Sequence, residues 1–141
     1  LNVTQSVFRG RRPDWDTFAR LKPIFAHQHW SNPYLPNSET DFPDHPYITF
    51  YGFRRGPFLP VEDARSFYEQ IQRSPFISAY GAQNFYEASA EFVGLGYYCV
   101  VLKHSCYVSI PVESGFQRFR IPPADTMRRN TDILTAVLGG G

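Results

Sequence analysis

Apolar residues recur at helical spacing in four stretches of the chain and alternate with polar ones in a fifth. From Asp14 to Leu21, Trp15, Phe18, Ala19 and Leu21 fall toward one side of a short helix, with Asp14 as N-cap and Pro23 as its stop. Val61 to Arg73 carries a clearer stripe: Ala64, Phe67, Tyr68 and Ile71. Pro60 stands at its start, and Glu62 and Asp63 suit the positive N-terminal end of a helix. Ser74-Pro75 ends it. A third helix is predicted from an Asn84 cap to about Leu102, apolar at Phe85, Ala88, Phe92 and Leu95, with Gly94 and Gly96 as weak points. Tyr107–Val112 and Phe116–Ile121 alternate as strands do, and Glu113-Ser114-Gly115 between them predicts a hairpin. A last helix is expected over 124–138, with Met127, Ile133, Leu134 and Val137 apolar and a flexible Gly139-Gly140-Gly141 tail.

Between Pro23 and Pro60 the pattern breaks down. Six further prolines or bounding prolines (Pro33, Pro36, Pro43, Pro46, Pro57, Pro60) exclude a long helix, and only Tyr47–Tyr51 is strand-like. Irregular stretches of that length in a compact domain are usually functional or wrap a partner surface. The expected fold class is α+β, mainly helical, with a long Pro- and aromatic-rich irregular region and a short β-hairpin. Residues 1–138 make one domain, or the C-terminal part of a larger one.

Composition narrows the function. Fourteen basic against 13 acidic side chains leave a net charge of +1, so no bulk electrostatic attraction to nucleic acid is expected. The arginine clusters Arg9-Gly10-Arg11-Arg12, Arg54-Arg55 and Arg128-Arg129 lack a glycine-rich phosphate loop and are expected at the solvated surface. No apolar run reaches the roughly 18 residues of a membrane span, and the first residues lack a signal-peptide pattern. Opening on Leu1 fits a processed or partial chain. Cys99 and Cys106 are either a small disulfide or two separate buried thiols; a zinc ribbon would need a second pair. A disulfide, with the Asn2-Val3-Thr4 sequon, would favour a secreted or extracytoplasmic location.

The stretch richest in chemistry is Ser78–Phe92. Glu87 and Glu91 are four apart on the predicted helix and share a face. Like charges at that spacing in apolar surroundings need a cation opposite them, a metal or a basic side chain such as Arg54 or Arg55. Glu87-Ala88-Ser89-Ala90-Glu91, with Ser78, Tyr80 and Asn84 in register, resembles the E-x-x-A-E helix of gluzincin-type zinc metallopeptidases. The branch it is similar to contains the catalytic domain of anthrax lethal factor and bacterial proteins assigned as zinc peptidases. The resemblance implies zinc as cofactor, with Glu87 as a metal ligand. Glu91 would orient a ligand histidine, and Tyr80 would donate to the oxyanion of the tetrahedral intermediate. It also implies a peptide or protein substrate.

One family element is missing. None of His27, His29, His45 and His104 is followed by Glu or paired at i, i+4, so the chain contains no HExxH. In the family that helix precedes the E-x-x-A-E helix by several tens of residues, which places it at or before Leu1. The chain is then expected to be inactive alone and to need the missing N-terminal portion as its partner.

Other chemistries find less support. His27, His29 and His45, with Glu39 or Asp41, would make a cupin-like metal cluster, but the strands of a barrel are lacking, and polar loop histidines beside Trp30 are expected instead. His104 is expected at a packed helix end. No nucleophile elbow, Rossmann or P-loop pattern occurs. The non-enzymatic alternative is an interaction or glycan-binding module whose face is formed by Trp30, Tyr34, Phe42, Tyr47, Tyr51, Phe53 and Phe58.

Overall fold

A computed structural model describes residues 15–25, 29–48 and 59–126. The fold is α+β, with three α-helices of ten or more residues and two small antiparallel hairpins among the described residues. Helix α1 (Trp15–Phe25) runs past Pro23, which the sequence pattern takes as its stop. Pro23 has no N–H to offer the Ala19 carbonyl, so the helix runs through it with one ladder bond missing. Strands β1 (Trp30–Asn32) and β2 (Leu35–Pro36) pair across a Pro33-Tyr34 turn. Asn32 Oδ1 accepts from the Tyr34 N–H at 2.9 Å, an Asx turn that the proline count had hidden.

His45–Tyr47 forms a 3₁₀ turn, closed by the Ile48 N–H donating to the His45 carbonyl. The strand expected at Tyr47–Tyr51 therefore does not begin there: Pro46 fixes φ in the turn range. Residues 49–51 lie outside the described residues. So do Asp14, Arg54, Arg55 and the last helix beyond residue 126; residues 124–126 are helical.

Val61–Asp63 is a 3₁₀ turn leading into α2 (Ala64–Arg73). Helix α3 (Phe85–Gly96) then widens into a π-helical turn, Tyr97–Val101, where Leu102 N–H reaches back five residues to the Tyr97 carbonyl. Strands β3 (Cys106–Val112) and β4 (Gly115–Ile121) pair in unbroken register from Cys106–Ile121 to Val112–Gly115. Gly115 has φ +131°, a left-handed conformation that a side chain would strain, and this fixes the turn.

The core is aromatic. Phe18 of α1 meets Phe85 of α3 edge to face at 4.9 Å, and Trp30, Phe42, Phe67, Ile71 and Phe76 close around them. The β3–β4 hairpin docks on α2: Tyr68 stacks on Phe119, and Gln72 Nε2 donates to the Arg120 carbonyl at 2.7 Å. No helix among the described residues is long and apolar enough to cross a membrane.

Candidate functional site

Residues 77–84 form a buried loop that delivers the chain to α3. Two backbone bonds shape it, Ala82 N–H to the Ser78 carbonyl and Gln83 N–H to the Tyr80 carbonyl, both 3.1 Å. Asn84 is extended, and its Oδ1 accepts from the Glu87 N–H at 3.0 Å, the N-cap that the sequence predicts. The Phe85 N–H donates to the Pro33 carbonyl at 2.9 Å, which ties the start of α3 to the β1–β2 turn. Asn84→Ala is expected to lower stability by about 1 kcal/mol in chemical denaturation, because one helix-end donor loses its acceptor.

The two glutamates sit one turn apart on α3, both half-buried, but their surroundings differ. Ser78 Oγ donates to Glu91 Oε2 at 2.8 Å and accepts from the Gly81 N–H at 2.8 Å. Space beside Gly81 is tight. A Cβ on Gly81 would come within 3.1 Å of Ser78 Oγ and 3.5 Å of Glu91 Cβ, pushing apart the contact that holds Glu91. The Glu87 carboxylate makes no ion pair with any described residue; the arginine–carboxylate pairs among them are Arg65–Glu69 and Arg73–Glu69. Tyr80 is half-buried on the same loop, four residues before the cap. The fold therefore brings Ser78 and Gly81 against Glu91 in the second turn of α3, with Tyr80 between the first two on the loop before the cap.

The described residues do not complete a metal site: no group of three or more His, Cys, Asp or Glu side chains among them could hold an ion. His27 of the cupin-like cluster lies outside the described residues.

His45 corrects the expectation of a polar loop residue. It is fully buried, its ring stacked on Phe42 (4.8 Å, 3° between planes) and edged by Phe76 and Trp30. Nδ1 pairs with Asp41 Oδ1, and Nε2 donates to the Ala82 carbonyl. Both nitrogens are occupied, so His45 is neither a metal ligand nor a free base. It ties the loop over 41–48 to the loop that carries Tyr80. A reciprocal pair ties the same loop to α2: Asp44 N–H donates to Gln70 Oε1 at 3.0 Å, and Gln70 Nε2 donates to Asp44 Oδ2 at 2.6 Å. Sequence reasoning missed this node, although an acid and a histidine at i, i+4 (Asp41, His45) between prolines were visible.

Of the aromatic face expected in the proline-rich half, Tyr47 is exposed and Tyr34 half-buried, Tyr51, Phe53 and Phe58 lie outside the described residues, and two members need correction. Trp30 is 1% exposed and Phe42 6%; both are core. Among the described residues, further apolar exposure lies at Tyr97, Tyr98, Val101 and Leu102 around the π-turn and at Tyr107 and Phe116 on the hairpin, with Phe116 74% exposed. His104 is exposed and stacks on Tyr98 at 4.5 Å rather than closing a Cys/His site.

No protein-family model, no curated protein and no solved structure matches this chain.

Proposed function

We propose that this chain carries the glutamate-bearing half of a zinc-dependent metallopeptidase site. One observation carries the reading: a half-buried Glu87 carboxylate with no ion pair among the described residues, one turn before a Glu91 held in place by Ser78. A carboxylate in that state suits a cation. The motif in register across Ser78, Tyr80, Asn84, Glu87 and Glu91 makes zinc the favoured one.

In this reading Glu87 is a metal ligand. Glu91, with Oε2 engaged by Ser78, keeps Oε1 to accept from the ring N–H of a ligand histidine. Tyr80 donates its phenol to developing negative charge on a peptide carbonyl. Bound zinc would lower the pKa of its water to about 7. The described residues fit one ligand of the three that a catalytic zinc needs, so the chain alone is expected to hold no zinc and to hydrolyse nothing. The histidine pair must come from another segment or another chain. The reading frame ahead of Leu1, or a co-purifying polypeptide, is expected to encode His-Glu-x-x-His. A reading frame without it, together with purification free of any such partner, contradicts the proposal.

A second reading, a non-catalytic interaction or glycan-binding module, draws on the exposed apolar residues of the π-turn and hairpin, because clustered exposed apolar side chains mark contact surfaces.

A further inference from the structure

Cys99 and Cys106 lie on two elements that the chain folds against each other. Cys99 belongs to the π-turn at the end of α3, and Cys106 opens β3. The intervening return is tight. Lys103 adopts a left-handed φ of 56°, the His104 N–H donates to the Tyr98 carbonyl at 3.1 Å, and the His104 ring stacks on Tyr98. This return sets Cys99 beside Cys106, with both side chains unbridged and half-buried. The hydrogen-bonded turn that a bridge would span is therefore already formed, and a small oxidant can reach it.

We infer that Cys99 and Cys106 form a reversible dithiol–disulfide site, closed by a low-molecular-weight disulfide such as oxidised glutathione. One protein thiolate attacks the small disulfide; a mixed disulfide forms and one small thiolate leaves. The second protein thiolate attacks the protein-side sulfur, and the other small thiolate leaves. Two protein thiols are oxidised, one small disulfide is reduced to two thiols, and the protons lost by the protein thiols pass to the leaving groups. Burial pushes the Cys99 thiol up, Cys106 beside it adds to this, and Arg120 opposes it. Cys99 accordingly carries less thiolate than an unburied thiol would. The bridge would clamp the end of the glutamate-bearing helix to the hairpin. It stands independently of the zinc reading.

The test uses the whole chain, reduced and then equilibrated in a buffer of equal reduced and oxidised glutathione. Both thiols are expected to become unreactive to alkylation together. Trypsin, which cuts after Lys103, should leave two peptides joined through Cys99 and Cys106. The oxidised protein should melt about 5 °C above the reduced protein, a shift absent in Cys99→Ser and Cys106→Ser. Thiols that stay alkylatable, glutathione adducts that persist on either cysteine, or bridges between chains would overturn the inference.

Discussion

His45→Ala is expected to destabilise the protein by about 4 kcal/mol, close to the limit a domain of this size can lose. Three losses combine. The ring stacked on Phe42 and edged by Phe76 and Trp30 is replaced by a cavity. The Ala82 carbonyl, buried inside the fold, loses its donor. Asp41, only 30% exposed, loses the partner that offsets its partial burial. His45→Phe separates these contributions. It restores ring volume but neither donor, so roughly half of the loss should remain. Urea unfolding monitored by tryptophan fluorescence reads both variants, since Trp30 lies against the site. A loss below about 1 kcal/mol for His45→Ala would show that the buried pair is not what holds the two loops together. Faster amide exchange at Gly81, Ala82 and Gln83 in the variant would show that the damage reaches the loop carrying Tyr80.

The elements that sequence made legible were those whose local chemistry and periodicity agree. The hairpin is one: alternation flanks a turn whose Gly115 takes positive φ, and both strands start one residue before the predicted bounds and end at them. The Asn84 cap is another, since its side chain satisfies the Glu87 amide as the pattern implies. Failures came where long-range contacts decide. Periodicity alone does not reveal the change from α to π hydrogen bonding after Gly96, nor that the first helix continues two residues past Pro23. The burial of Trp30, Phe42 and His45 depends on Ala82 and Phe76, more than 30 residues away, which no local pattern records. At the candidate site, the positions of Glu87 and Glu91 on one face were legible. That Ser78 would hold Glu91, and that Gly81 would pack closely against that contact, was not.

The difference between the two glutamates has a consequence for metal binding. Glu91 is already engaged, so Glu91→Gln should weaken zinc by about 10- to 100-fold through loss of orientation, without abolishing it. Glu87 makes no such bond with its carboxylate among the described residues, and its backbone N–H already serves the Asn84 cap. Glu87→Gln keeps the size and the cap while removing the charge that a metal ligand needs, so the fold should be unaffected.

The most direct measurement is the zinc content of the full-length protein, with its histidine-bearing segment or partner, determined by elemental analysis after exhaustive dialysis. The account predicts about one zinc per chain in the wild type, as for a three-ligand catalytic site, and close to none in Glu87→Gln at an unchanged melting temperature. Zinc retained in full by Glu87→Gln, or absent from the wild type, would contradict it.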